Sequence, residues 1–209
     1  MARYIGAECR QCRREGMKLF IKGNKCTTDK CAFERRNTPP GQHTDLRSKV
    51  SDYGKQLREK QKLRRMYGVL ERQFRGYYQM ASRKSGVTGE ILLQLLERRL
   101  DNVVYRMGFA VNRLASRQMV NHGHVIVNGH KVDIASFSVK VGDKVEIREK
   151  SRTLATIKQA IETLPRRGGV PAWMTVNHET FSGVLSKVPS KEEMALPIQE
   201  QLIVELYSK

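Results

Sequence analysis

Between Thr88 and Met107 the string TGEILLQLLERRLDNVVYRM sets Ile91, Leu92, Leu95, Leu96, Leu100, Val103, Val104 and Met107 three and four residues apart. A stripe that wide predicts one long amphipathic helix with a broad buried face, capped by Thr88 and ended at Gly108. The next residues are equally constrained. A short helix is predicted from Arg113 to Asn121, with Leu114, Met119 and Val120 inward and Gly123 as its stop. Then HVIVNGHKV (124–132) reads as a hairpin, because Asn128-Gly129 suits a two-residue type I′ turn in which both central residues take positive φ.

The remainder predicts more of both element types. Val139 and Val141, then Val145 and Ile147, alternate across Gly142-Asp143 and predict a second strand pair. Leu154, Ile157, Ile161 and Leu164 predict a helix stopped by Pro165. AWMTVNHETFSGVL predicts two strands around Asn177-His178. Ile198, Leu202 and Leu206 have helical spacing, although LIVEL is also a short run that suits a strand. Upstream, Ser51-Asp52 opens a helix, with Asp52 favourable near its positive end. Lys55, Arg58, Lys62, Arg65 and Arg72 then fall within about 100° of arc if the helix is unbroken, with Gly68 as a candidate break. Leu70, Phe74, Tyr77, Tyr78 and Ala81 give that region its apolar stripe. The fold class is α+β.

Charge narrows the function. Lys and Arg number 39 against 21 Asp and Glu, a formal net charge of +18. A chain so basic repels itself when compact and is expected beside a polyanion, nucleic acid first and an anionic membrane surface second. No apolar run reaches the roughly 20 residues that span a bilayer, and MARYIGAECRQC lacks an apolar signal core, so a cytoplasmic location is expected. On the two predicted central helices, Arg98, Arg99, Arg106, Arg113, Arg117 and Gln118 read as exposed, with Asp101-Asn102 orienting arginines. The second helix offers its first amides and Ser116 to a phosphate. His122, Asn128 and Lys131 extend that reach, and the competing reading is a solvated charged face. Tyr53, Tyr77 and Tyr78 carry rings suited to base stacking, though the stripe assigns Tyr77 and Tyr78 to the core. The five histidines, His43, His122, His124, His130 and His178, do not cluster with acids and read as surface or RNA-facing groups.

Cys9 and Cys12 form a C-x2-C pair, and Cys26 and Cys31 a C-x4-C pair shortly after. In a reducing compartment this spacing suits a tetrahedral thiolate cage rather than disulfides. The surrounding segment is poor in apolar residues, so a metal supplies stability it lacks. Zinc is the first choice. A four-iron–four-sulfur cluster uses the same ligands, and spacing does not separate the two.

RRLDNVVYRMGF and SRQMVNHGHVIVNG together resemble the α-L RNA-binding module, a helical hairpin joined to a small antiparallel sheet. With MARYIG, PPGQH, SDYGKQLREKQKLRRMYGVLERQFRGYY and the terminal LIVELYSK, the resemblance extends over nearly the whole chain and is to bacterial small-subunit ribosomal protein four. It implies three parts: a cysteine-rich metal-binding extension at 1–41, a helical rRNA-binding domain at 42–96 completed by 186–209, and the α-L module with extra helix and strands at 97–185. It implies a structural role in the 30S subunit: direct, early binding of 16S rRNA at a multi-helix junction of the 5′ domain. It implies proximity to ribosomal protein five and to messenger RNA where the messenger enters, a contribution to translational accuracy and, in some members, repression of the chain's own messenger. The messenger-facing patch of relatives corresponds here to TDLRSKVSDYG, which keeps Arg47 and Lys49 but introduces Asp45. Some family members lack the cysteines, so the metal is a stiffener there and not the RNA-binding chemistry.

Enzymes such as pseudouridine synthases also carry the α-L module, joined to a catalytic domain. This chain shows no GxGxxG, no Walker loop and no Ser/His/Asp or Cys/His set in a supporting context, so neither catalysis nor a small-molecule substrate is expected. A zinc-ribbon regulator of DNA or messenger RNA is the other rival. Cosedimentation with 30S particles separates these readings.

Overall fold

The computed structural model describes residues 4–42 and 50–208. Arg47 and Lys49, with His43 and Asp45, lie outside the described residues. The chain divides into two compact units, one formed by Met1–Leu92 with Leu196–Lys209 and the other by Leu93–Ala195.

The first unit is helical. Helix α1 (Cys9–Glu15) and the single turn α2 (Ala32–Arg35) frame the cysteine segment. Helix α3 (Asp52–Met66) starts where the Ser51 hydroxyl accepts the Gly54 amide at 3.2 Å, the cap expected there. It ends at Tyr67, so the arc drawn through Arg72 is broken, and Arg72 belongs to α4 (Glu71–Ser82). Near the end of the sequence, helix α10 (Glu200–Tyr207) packs along α3. Leu63, Phe74, Ala81 and Ile203 are fully buried in this unit. Each large apolar side chain so buried contributes about 1.5–3 kcal/mol. Tyr207 stacks on Tyr78 with ring centroids 4.7 Å apart and donates its hydroxyl to Glu71 at 2.7 Å, while Lys60 donates to the same oxygen at 2.8 Å. Burial raises the Glu71 carboxyl, but these two hydrogen bonds together with the charges of Lys60 and Arg64 outweigh it and hold the group below its ordinary value. Burial and the neighbouring Glu71 push the Tyr207 hydroxyl well above its own.

The long helix expected over 88–107 is two helices, α5 (Thr88–Glu97), which starts before the boundary at Leu92, and α6 (Leu100–Arg106) in the second unit. Arg99 is extended (φ −64°, ψ 136°) and makes a β-bridge to Ser138. The break is held by backbone bonds: Leu100 N–H to Phe137 O at 2.8 Å, and Val139 N–H to Arg98 O at 2.9 Å. Apolar periodicity is nearly continuous through the break, so the stripe conceals it. The same bonds explain a second departure. Residues 138–141 do not form a strand paired across Gly142-Asp143, because their backbone is spent on the helix break and on Asp143, whose carboxylate accepts the Lys140 amide at 2.7 Å.

Helix α7 (Arg113–Asn121) follows, with the Asn112 side chain capping it through the Ala115 amide at 2.7 Å. Gly108 joins α6 to α7 at φ 87°, and a Cβ there would lie 2.5 Å from Leu164 Cδ2, so both conformation and space demand glycine. The strands are β1 (Val125–Val127), β2 (His130–Lys131), β3 (Lys144–Ile147), β4 (Met174–Asn177) and β5 (Ser182–Leu185). They form one antiparallel sheet in the order β2-β1-β3-β5-β4. Asn128 (φ 48°) and Gly129 (φ 82°) make the expected turn. Helix α8 (Ala155–Glu162) lies between β3 and β4 in sequence, and the short α9 (Lys191–Met194) carries a capping box from Ser190 and Glu193. Val125, Val145, Ile147 and Ile157 are fully buried with the inner faces of α6 and α7.

Candidate nucleic-acid interface

The cysteines come together. Cys9, Cys12, Cys26 and Cys31 line one small cavity, shared with Lys18 and Lys22. Cys12, Cys26 and Cys31 are buried, and burial pushes the Cys12 and Cys26 thiols up. Amides of Leu19 and Lys22 bond toward the Cys12 and Cys26 sulfurs and oppose that shift. Among the described residues no group of three or more His, Cys, Asp or Glu side chains stands at metal-holding geometry. The donor set surrounds one space without converging on a point.

On α3 the basic residues are tied to acids. Lys55 pairs with Asp52 at 3.0 Å on an exposed turn, and Lys62 pairs with Glu59. Arg58 and Arg65 both reach Glu15 at the end of α1, Arg58 at 3.4 Å. Arg72 is exposed, and Tyr53 is exposed as a stacking ring requires. Tyr77 is core, as its place on the stripe predicts.

In the α6–α7 region the exposed arginine row expected from sequence is largely interior. Arg99 is 1% exposed and forks onto Asp101, Nε at 3.0 Å and Nη2 at 2.8 Å. Arg117 is buried 4.0 Å from the same carboxylate, and Ser116 donates its hydroxyl to the Asp101 carbonyl. Arg106 forks onto buried Glu97, Nε at 3.1 Å and Nη2 at 2.6 Å, and Asn102 donates to Glu97 as well. Arg113 bonds Asn102 Oδ1 at 2.8 Å and covers the Tyr105 ring at 4.7 Å. Arg98 donates to the Val139 carbonyl at 2.8 Å. The reason is electrostatic: Glu97 and Asp101 are inside, and a buried acid needs a cation beside it. Asp101 does orient arginines, but it draws them inward. Asn128 is likewise used by the fold, its amide bonding Asp143 and its carbonyl oxygen accepting the Lys144 amide, both at 2.9 Å.

Gln118, His122 and Lys131 remain on the surface as expected. His124 and His178 do not: His124 Nδ1 meets the buried Ser151 hydroxyl at 2.9 Å, and His178 Nε2 meets the Met107 carbonyl at 3.0 Å. The exposed cations that sequence reasoning passed over in this unit include Lys140, Arg148, Lys150, Lys158 and Arg166. Arg148 and Lys150 follow β3, just past the buried alternation of Val145 and Ile147, and that boundary was the available signal. The interface thus has two layers: acids fix an inner set of arginines that hold the backbone, and outer cations and amides meet solvent.

Two family profiles match the chain. The ribosomal protein S4/S9 N-terminal domain covers residues 3–97, and the S4 domain covers residues 98–145. The chain is similar to small ribosomal subunit protein uS4 of Trichlorobacter lovleyi and of Geotalea daltonii, each 60% identical over 209 residues, the full length of both chains. The protein of that description from Thermodesulfovibrio yellowstonii is 58% identical over the same span.

Proposed function

The chain belongs to the small ribosomal subunit protein uS4 family, and from that premise we propose that it binds 16S rRNA directly and early, at a multi-helix junction of the 5′ domain. As a member it is a structural constituent of the small ribosomal subunit and not an enzyme. The full-length likeness carries the proposal, and the physics agrees with it. A folded RNA junction presents phosphates and 2′-hydroxyls to be read by shape, since A-form major grooves are too narrow for side chains. Cations spread over a rigid surface suit such a target better than one sequence-reading helix. Exposed Arg72, Gln118, His122, Lys131, Arg148, Lys150 and Arg166 make the outer contacts in this reading, with Tyr53 available to stack. The chain helps nucleate assembly of the subunit body, neighbours ribosomal protein five, and contributes to accuracy where messenger enters. Repression of its own messenger is a further use of the same RNA-binding surface. Purified chain is expected to bind naked 16S rRNA at one-to-one stoichiometry with no other ribosomal protein present. Association only with assembled subunits would overturn the primary role.

Cys9, Cys12, Cys26 and Cys31 hold one zinc ion in this proposal. Their place around one small cavity supports it, together with the chemistry of four thiols in a segment short of apolar core. A dication there draws protons even from the Cys12 and Cys26 thiols, whose ionisation burial opposes, and Lys18 and Lys22 offset the excess negative charge. Purified protein is expected to carry near-unit zinc. Brown absorbance with iron would replace zinc by an iron–sulfur cluster, and a sample with neither metal would remove the site.

A further inference from the structure

Glu15 is the last residue of α1, three positions beyond Cys12, and its side chain is fully buried. One oxygen, Oε1, accepts from Nη1 of both Arg58 and Arg65. The other, Oε2, is buried and has no hydrogen-bond partner among the described residues. An ion pair arranged for stability would fork one guanidinium onto both oxygens, as Arg99 does on Asp101. Glu15 instead divides a single oxygen between two arginines and leaves the second oxygen unmatched, a costly arrangement for a buried acid.

What the arrangement achieves is orientation. Arg58 and Arg65 lie seven residues apart on α3, about 10 Å along its axis and on one side of it. Left alone, two like charges there would swing apart. The shared oxygen draws both heads together while each guanidinium keeps its other donors, and both side chains remain partly open to solvent, 32% and 22% exposed. We propose that Glu15 is a positioning residue that gathers Arg58 and Arg65 into one two-arginine fork for an rRNA phosphate. This rests on the rRNA-binding reading above. It also gives the cysteine segment a part in RNA affinity, because α1 carries Cys9 and Cys12 in its first turns and Glu15 at its end.

The test uses full-length protein and naked 16S rRNA, with affinity measured across a salt series. Glu15→Gln removes one negative charge and keeps the side chain's size. The expected result is roughly tenfold weaker binding with an unchanged salt slope, because the contacts remain in number but lose their geometry. Equal or tighter binding, or a steeper slope, would show an acid that merely competes with RNA for the arginines and would overturn the assignment. Nitrogen–proton NMR of the arginine Nε groups reads the free protein independently. Arg58 and Arg65 are expected to be restrained in the wild type and averaged in Glu15→Gln, and no difference between the two overturns the proposal. Should Glu15→Gln fail to fold, Glu15→Asp keeps the charge but shortens the reach. It is expected to weaken binding as well, and wild-type affinity in that variant overturns the proposal. A wild-type protein that does not bind 16S rRNA defeats the parent reading before any variant is made, so the two failures are distinct.

Discussion

Replacing Asp101 with alanine is expected to lower the unfolding free energy by about 3–5 kcal/mol, the usual cost of stranding a buried charge by removing its partner. The Asp101 carboxylate takes the Arg99 fork, accepts the Asn102 amide at 2.9 Å and lies within 4.0 Å of Arg117. Without it, a guanidinium that is 1% exposed loses the carboxylate it forks onto. The residue also sits at the head of α6, just past the break at Arg99, so the register of the break depends on it. Urea unfolding of Asp101→Ala beside wild type checks this, with Asp101→Asn as the variant that keeps shape and one acceptor. A loss below about 1 kcal/mol in Asp101→Ala would mean that solvent reaches Arg99, against the interior placement described above.

The second large effect is on RNA affinity. Each phosphate neutralised contributes about 0.7–0.9 to the slope of log affinity against log salt. With several outer cations engaged, the slope for 16S rRNA is expected to exceed about 3 in magnitude, which is at least a ~60-fold loss between 50 and 200 mM salt. Filter binding over that range measures it. A slope near zero would remove the charge-based account of the interface. The inner arginines sharpen this expectation. Arg99 and Arg117 face Asp101, so replacing either with glutamine should change stability far more than slope, whereas Arg148→Gln should do the reverse.

Much of the fold could be read from residues in order. The Asn128-Gly129 turn, the short helix ending at Asn121, the strands around Asn177 and the Ser51 cap are each set by neighbours in sequence, so local rules recover them. The division of α5 from α6 is set by backbone bonds to residues 135–139, and no stretch of sequence displays its partner. The site was less legible than the fold for a related reason. Charge type is visible in a string of letters, but the sign of an arginine does not say whether it faces water or an acid. Arg99, Arg106 and Arg117 read as surface because arginine usually is. Buried Glu97 and Asp101, close in sequence to Arg99 and Arg106 and brought near Arg117 by the fold, reverse that reading once the chain turns back on itself. The tail, equally compatible with strand or helix as a short apolar run, is settled by its place along α3.

The packing of α10 against α3 also has a temporal consequence. The interior of the first unit takes one wall from near the beginning of the polypeptide and another from its last ten residues, while the second unit is specified wholly between them. During synthesis at roughly 5–20 residues per second, the middle of the chain is therefore able to mature before the beginning does. Helices α3 and α4, which carry Leu63 and Phe74, are made well before Glu200–Tyr207 and lack the cover of α10 until that segment emerges.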